Sequence, residues 1–292
     1  MLSIVKSIAL HGLQGYLVNI QVDVSSGMPS FEIVGLPDTS IKESKERVKT
    51  AIRNSTFEFL SRKIVVNLAP ASTRKEGSIF DLPIAVGILI ASNIISNISL
   101  EDTIFMGELS LDGSIEPIKG ILPICIEAKR LGIKKIILPK ANSKEASIIT
   151  DIEIIPVSSL SEVISYLNGQ ISISKEKNID FISNINSSYD FDFSEVKGQE
   201  NVKRALEISA AGGHNCLLIG SPGSGKTMLA RRLPSILPDL TFEEALEITK
   251  IHSISGLLSE DTPFIFTRPF RSPHHTITET SLVGGGRIPK PR

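Results

Sequence analysis

The sequence predicts an α/β protein of two domains joined by a linker. Strand-like and helix-like apolar patterns alternate through residues 1–167, as expected for a sheet covered by helices. In residues 194–292, a glycine-rich loop at 220–227 lies between a short apolar run and a helix pattern. The intervening residues 168–193 are rich in Asn, Ser and Ile and lack a clean period, which indicates the linker.

The strands of the first domain are predicted from alternation and from short apolar runs. In QGYLVNIQVDV, the residues Val18, Ile20, Val22 and Val24 recur at period two, which indicates a half-buried strand. The other predicted strands are MLSIVKSIALHG, FEIVGL, RKIVVNLAP, the segment after Gly132, and IEIIPV.

The helices of this domain differ in how much of their surface is apolar. DTSIKESKERVKTAIRNS is predicted to be an amphipathic helix, with Ser40 and Glu43 at capping-box spacing. DLPIAVGILIASNII is predicted to be a buried helix, whereas LPICIEAKRL and SLSEVISYL are predicted to be two further helices. TIFMGELSLDGSIEPI is predicted to be a hairpin, because Asp112-Gly113 suits the two positive-φ positions of a type I′ turn.

Composition excludes several classes of protein. The chain has 292 residues with 31 basic and 32 acidic side chains, so bulk charge does not indicate a coat on nucleic acid, although a local basic groove stays possible. Two cysteines rule out a disulfide framework. The most apolar stretch, residues 82–91, is about half of what a bilayer requires, so no membrane contact and a cytoplasmic location are expected.

The strongest functional signal matches the pattern G-x-x-x-x-G-K-[ST]. The candidate ATP-binding residues are Gly220, Ser221, Pro222, Gly223, Ser224, Gly225, Lys226 and Thr227. Glycines let successive main-chain N–H groups turn toward a phosphate. The lysine supplies a cation for the β- and γ-phosphates, and the threonine hydroxyl is the candidate Mg²⁺ ligand. ATP and Mg²⁺ are therefore the expected cofactors.

The segments on either side of this loop fit the same prediction. CLLI, before the loop, is predicted to be a strand buried on both faces, with Cys216 as a small buried apolar residue. MLARRL, after the loop, is predicted to be a helix that stops at Pro234.

The second domain resembles a known family at specific residues. VKGQENVKRALEISAAGGHNCLLIGSPGSGKTMLARRLPSILP and FRSPHHTITETSLVGGG are similar to the magnesium-chelatase-like AAA+ ATPases, in their ComM (YifB-type) branch. The resemblance implies a three-layer P-loop domain with a parallel sheet, with residues 196–199 near the adenine. It also implies ATP-driven work on DNA, as a homo-oligomeric, hexameric ring helicase that promotes branch migration during natural transformation.

The first domain resembles the Lon-protease type. KEGSIFDLPIA and MGELSLDGSIEPIKGILPICIEAKRLGIKKIILPKAN carry this similarity, which implies an α+β domain. The family's Ser nucleophile falls at Ile79 and its Lys base at Leu122, so the dyad is absent and a non-proteolytic module is expected. Ser78 and Lys119 lie near these positions and could form a shifted pair. Each residue of shift along a helix rotates the side-chain direction by about 100°, so their side chains would point elsewhere.

The same resemblance identifies what the chain lacks. No run of four apolar residues followed by Asp-Glu occurs after Thr227, so the chain is expected to be truncated before Walker B, the sensors and the arginine finger. We therefore expect ATP binding without efficient hydrolysis, and no catalytic residue. The alternatives are an inactive scaffold or interaction module, a Lon-like Ser-Lys peptidase, and a metal-chelatase motor subunit.

Overall fold

The described residues form two compact units, each with its own packing. The computed structural model describes residues 1–95, 100–177, 189–259, 261–274 and 276–278. Within these ranges, the first unit comprises 1–177 and 250–263, and the second comprises 189–249 and 264–278. None of their helices is long and apolar enough to cross a bilayer.

A mixed sheet is the framework of the first unit. The strands are β1 (Leu2–His11), β2 (Gln14–Ser25), β3 (Ser30–Val34), β4 (Lys63–Ala69), β5 (Thr103–Phe105), β6 (Glu108–Leu109), β7 (Ile115–Glu116), β8 (Lys135–Pro139) and β9 (Glu153–Val157). Seven of them form one sheet in the order β3-β4-β2-β1-β5-β8-β9. The pairs β1–β2 and β2–β4 are antiparallel, and the other neighbours are parallel. The predicted α/β class is confirmed.

The predicted alternation in β2 is confirmed by burial. Val18, Ile20, Val22 and Val24 all point into the core, whereas the residues between them are partly exposed. Because successive side chains of a strand point to opposite faces, this single register places one face of β2 against the helices.

Most of the helices lie in segments with a helix pattern, whereas the short helix Ser143–Ala146 was not predicted. They are α1 (Thr39–Asn54), α2 (Asp81–Ala91), α3 (Ile121–Arg130), α4 (Ser143–Ala146), α5 (Leu160–Leu167), α6 (Glu200–Gly212), α7 (Lys226–Arg232) and α8 (Phe242–Ser255). Helix α2 is buried along almost its whole length, as its uniformly apolar sequence predicts. A Cβ on Gly87 would lie 2.6 Å from Val22 Cγ2, so the glycine permits the close approach of α2 to β2.

The predicted cap of α1 is wrong by two residues. Asp38, and not Ser40, is the N-cap, and its carboxylate accepts a hydrogen bond from the Ile41 amide at 2.8 Å. The same carboxylate accepts from the Gly77 amide at 3.2 Å. An Asp at this position satisfies a free helix N–H and also ties the helix start to a distant loop, which a local spacing rule does not detect.

The predicted type I′ turn is also wrong. Gly113 has φ +90°, but Asp112 is not among the residues with positive φ. Ser110 and Ser114 pair across the turn, and the Gly113 amide donates to the Ser110 carbonyl at 3.0 Å. This is a three-residue loop in which a glycine follows a β-turn. The hairpin contains only β6 and β7, because Thr103–Phe105 pairs in the main sheet instead.

The described part of the predicted linker has no strand. Residues 168–177 are irregular, and the Glu176 amide donates to the Ile154 carbonyl at 3.1 Å, so this stretch lies against the first unit. Residues 178–188 of the linker lie outside the described residues, and the domain boundaries at 167 and 194 stay predictions.

A buried carboxylate joins three elements of the first unit. Asp81, at the start of α2, is fully buried and accepts from Arg47 Nε at 2.7 Å, from the Ser44 hydroxyl, and from the Leu109 amide at 3.3 Å. Burial raises the pKa of Asp81, and the hydrogen bonds from Arg47 and Ser44 oppose that rise. Because the Asp81 hydrogen bond also raises the pKa of Arg47, the guanidinium stays charged.

We expect Asp81→Asn to lower the free energy of unfolding by about 3 kcal/mol, because the change leaves the Arg47 cation without its counter-ion. Denaturant unfolding followed by circular dichroism measures the change. The double variant Asp81→Asn/Arg47→Met should lose less unfolding free energy than the two single variants lose in sum. Asp102→Asn removes one partner of an exposed ion pair with Lys134 and serves as the control with little effect. Equal decreases in the free energy of unfolding for Asp81→Asn and Asp102→Asn would contradict the role assigned to Asp81.

Candidate functional site

The glycine-rich loop leads directly into α7 in the second unit. Gly223 and Gly225 have φ values of +83° and +84°, a region that side chains with a Cβ rarely adopt. Gly225 is the N-cap of α7, and its carbonyl accepts from the Leu229 amide at 2.9 Å. No atom lies within 4 Å of a Cβ built on Gly223. The loop is therefore open on the side where a ligand would approach.

Lys226 folds back over the loop. Its Nζ donates to the Gly220 carbonyl at 2.8 Å, to the Ser221 carbonyl at 2.7 Å and to the Ser224 hydroxyl at 3.3 Å. These three acceptors hold the ammonium close to the loop backbone. The next residue, Thr227, is exposed in the first turn of α7. The lysine and the threonine required by the motif are thus consecutive residues in the first turn of α7, at the end of the loop.

The segment VKGQ, residues 196–199, contacts this loop through Gln199. Gln199 is the N-cap of α6, and its Nε2 donates to the Ser224 carbonyl at 3.4 Å. Val196 is buried in a small cluster with Phe193, Leu206 and Leu229. The contact of residues 196–199 with an adenine stays a prediction, whereas the contact of Gln199 with the loop is a feature of the structure.

Several contacts fix α7, and with it Lys226. Leu229 packs into the apolar cluster, and Arg232 Nη2 lies 2.5 Å from Glu195 Oε2. The Ser235 hydroxyl accepts from the Phe193 amide at 2.9 Å. Sequence reasoning missed Glu195 and Ser235 as supports of this site, because their partners lie about 40 positions away in sequence and share no motif with them.

The strand predicted before the loop is not formed. Cys216 is exposed, as are Leu217 and Ile219, whose side chains are 83% and 87% exposed. A parallel strand requires neighbours for its main-chain N–H and C=O groups, and none of the described residues of this unit pairs with CLLI. The buried position predicted for Cys216 is therefore wrong as well. The described residues of the second unit contain no strand, and thus none of the predicted parallel sheet.

The positions of the Lon-type dyad hold apolar packing. Ile79 packs against the main core of the first unit, and Leu122 is fully buried in α3. Nearby, the Ser78 hydroxyl donates to Glu108 Oε2, and Lys119 is exposed. Ser78 is hydrogen-bonded to a carboxylate and not to an amine, so the geometry does not favour the shifted Ser-Lys pair.

The segment KRLGIKK, residues 129–135, is a basic cluster whose four cations each form an ion pair with a carboxylate. Its ion pairs are Lys129–Asp151 (2.9 Å), Arg130–Glu127 (2.6 Å), Lys134–Asp102 (2.7 Å) and Lys135–Glu153 (3.6 Å). Phosphate contacts depend on excess positive charge, so this cluster gives no support to a DNA groove in the first unit.

Two sequence families match the chain in succession. The family described as "Subunit ChlI of Mg-chelatase" matches residues 20–142, and the family described as "Magnesium chelatase, subunit ChlI" matches residues 192–292. The second match contains the whole phosphate loop. The part of it beyond residue 278, including the LVGGG segment, lies outside the described residues, as does His275 of SPHHT.

Curated relatives extend the similarity across the chain. The chain is 41% identical to competence protein ComM of Haemophilus influenzae over 294 residues, covering 99% of the chain and 57% of the relative. It is 43% identical to YifB of Escherichia coli over 290 residues, covering 99% of the chain and 56% of the relative. A weaker match, 28% identity over 179 residues, links 56% of the chain to 22% of the Lon protease of Rhizobium meliloti.

The matches agree in both halves of the sequence. The chain spans just over half the length of the ComM and YifB relatives that it matches. The first ChlI match contains the segments at 75–85 and 106–142 that carry the Lon-type resemblance, and the second contains residues 220–227. The chain therefore contains two regions of the magnesium-chelatase ChlI families and is similar, over nearly its whole length, to ComM and YifB.

Proposed function

We propose that residues 220–227 bind the phosphate groups of ATP as its Mg²⁺ complex. The observation that carries this proposal is the placement of the Lys226 ammonium on the Gly220 and Ser221 carbonyls, at the open side of a loop with two left-handed glycines. Carbonyl oxygens hold an ammonium only weakly compared with phosphate oxygens, which carry formal charge. The cation is therefore ready to exchange these acceptors for an anionic ligand.

Each residue of the loop has a distinct role in this proposal. Gly223 and Gly225 let the backbone approach the phosphates, because their dihedrals exclude most other residues. Lys226 supplies the charge, and Thr227 supplies a hydroxyl for Mg²⁺. Gln199 steadies the loop through the Ser224 carbonyl. Bound Mg²⁺ would screen the phosphate charge, and ATP use would place the protein in the cytoplasm.

The larger activity is proposed from the relatives. Since the chain is 41% identical to competence protein ComM, we propose that the family's motor uses ATP to remodel DNA, as a ring of subunits that migrates a branch point. The DNA contact, the ring and the hexameric number all belong to this proposal. The chain spans just over half of that relative, so these properties concern the whole motor.

We further propose that these 292 residues bind ATP without hydrolysing it efficiently. Phosphoryl transfer requires a carboxylate that helps to hold Mg²⁺ and a positioned water. Of the acidic side chains after the loop, Glu244 instead accepts from the Thr241 amide at 3.0 Å and from Arg268 Nη2 at 3.1 Å. Among the described residues, no carboxylate is hydrogen-bonded to Lys226.

Lys226→Ala should weaken MgATP binding at least about 100-fold, because it removes the charge that contacts the phosphates. Isothermal titration calorimetry at millimolar ATP measures the affinity, and circular dichroism checks the fold. The control is Arg231→Ala, which removes an exposed cation from the same helix. Unchanged binding in Lys226→Ala would contradict the site, and no binding by the parent chain would favour the inactive scaffold.

Thr227→Ala should remove most of the benefit that Mg²⁺ brings to ATP binding while leaving metal-free binding nearly unchanged. Thr227→Ser keeps the hydroxyl and should behave like the parent chain. The measurement compares the dissociation constant in Mg²⁺ with that in a chelator for each variant. A Thr227→Ala chain with the full Mg²⁺ effect would show that another residue holds the metal.

A further inference from the structure

The first unit contains a cavity beside Ile79, the residue at the predicted nucleophile position of the Lon-type dyad. Its volume is about 570 Å³, which is within the range of small-molecule sites. One wall is apolar and includes Ala9, Leu10 and Ile124, with Ile79 beside them. This wall offers an alkyl chain a surface away from water.

The polar part of the lining carries an excess of negative charge. It includes Asp38, Glu76, Ser78 and Glu108, and the exposed Lys119 is the cation among its lining residues. These carboxylates are not equivalent, because some of them already accept hydrogen bonds or form an ion pair within the protein.

Asp38 is fully engaged by the fold. Its Oδ1 accepts from the Ile41 amide and its Oδ2 from the Gly77 amide. Glu76 lies 3.5 Å from Arg74 Nε, so its charge is partly balanced.

Glu108 has one carboxylate oxygen available to a ligand. Its Oε2 accepts from the Ser78 hydroxyl, whereas its Oε1 accepts no hydrogen bond from the described residues. The side chain is partly buried, so water screens its charge less than at an open surface. A cation in the cavity can therefore reach a carboxylate oxygen that the protein leaves without a donor.

The floor of the cavity is open at Gly77. This residue has φ +86°, and a Cβ built on it meets no atom within 4 Å. The missing side chain leaves the backbone accessible, so a ligand can lie along the loop from Gly77 to Ile79.

We propose that this cavity binds an alkyl chain that ends in an ammonium group. The alkyl part lies on the wall formed by Leu10, Ile79 and Ile124, and the ammonium donates to Glu108. Two sources share this chemistry, the lysine side chain of a polypeptide and a free aliphatic diamine. Ile79 supplies no nucleophile at this position, so the proposal is for binding of the ligand and includes no cleavage step.

The test uses the 292-residue chain and three matched probes. Nα-acetyl-lysine amide should bind with a dissociation constant of about 1 mM, as expected for a ligand of this size. Nα-acetyl-norleucine amide has nearly the same alkyl chain without the ammonium and should not bind detectably. 1,5-Diaminopentane distinguishes the two sources: tighter binding than the lysine amide indicates a free diamine, and weaker binding indicates a polypeptide. Ligand-observed NMR measures all three.

Glu108→Gln should weaken binding of the charged probe about tenfold, since it removes the charge and keeps the hydrogen-bond acceptor for Ser78. Glu116→Gln is the matched control, because Glu116 pairs with Glu108 in the same hairpin but does not line the cavity. Both variants should retain the circular dichroism spectrum and the unfolding midpoint of the parent chain, which shows that the first unit is folded. Both should also retain MgATP binding by the second unit, which separates this result from the proposed function.

A second variant keeps the proposal falsifiable if Glu108→Gln is unstable. Ser78→Met extends a longer side chain into the cavity and should abolish binding of both charged probes. The proposal is overturned if the norleucine amide binds as well as the lysine amide, if Glu108→Gln and Glu116→Gln weaken binding equally, or if Ser78→Met has no effect.

Discussion

In the first unit, the fully buried carboxylate of Asp81 holds a helix and a hairpin against the start of α2. Asp81 joins α1 through Ser44 and Arg47, and joins the β6–β7 hairpin through the Leu109 amide. A buried charge without partners would cost several kcal/mol, so these elements must meet with good geometry or the unit loses stability. The same contact sets the position of Ser78 and Glu108, which come shortly before Asp81 and Leu109 in sequence. The shape of the cavity therefore follows from an interaction that takes no part in ligand binding.

The phosphate loop depends on short-range contacts instead. Lys226 contacts residues two to six positions earlier, and Gly225 begins the helix that carries the lysine. Such a site can be predicted from sequence, because its geometry follows from glycine dihedrals and from one helix start. Its supports are different: Arg232 meets Glu195 only when the chain between them folds back, which no local pattern indicates.

In the first unit, the two predicted dyad positions hold apolar residues, whereas neighbouring residues are polar and line a cavity. Ile79 and Leu122 occupy the dyad positions and add apolar packing, yet the neighbouring Ser78, Glu108 and Lys119 still line a cavity. The resemblance predicts that the Ser-Lys dyad is absent. It does not indicate the hydrogen bond between Ser78 and Glu108, because the hairpin brings residues 30 positions apart together. In this unit, apolar packing explains the side chains at 79 and 122, and tertiary structure explains the polar wall.

The sequence by itself determined the α/β class, the position of most helices, the buried face of β2 and the glycine-rich loop that leads into α7. Periodic burial and glycine dihedrals are local properties that neighbouring residues encode. Only the tertiary structure decided the Asp38 cap, the restriction of the hairpin to β6 and β7, and the exposure of Cys216, Leu217 and Ile219. Each of these depends on a partner distant in sequence: Asp38 also serves Gly77, Thr103–Phe105 leaves the hairpin to pair with β8, and Cys216 to Ile219 find no pairing strand among the described residues. Hydrogen-bond partners that the folded chain supplies, or does not supply, outweigh local preference at these positions.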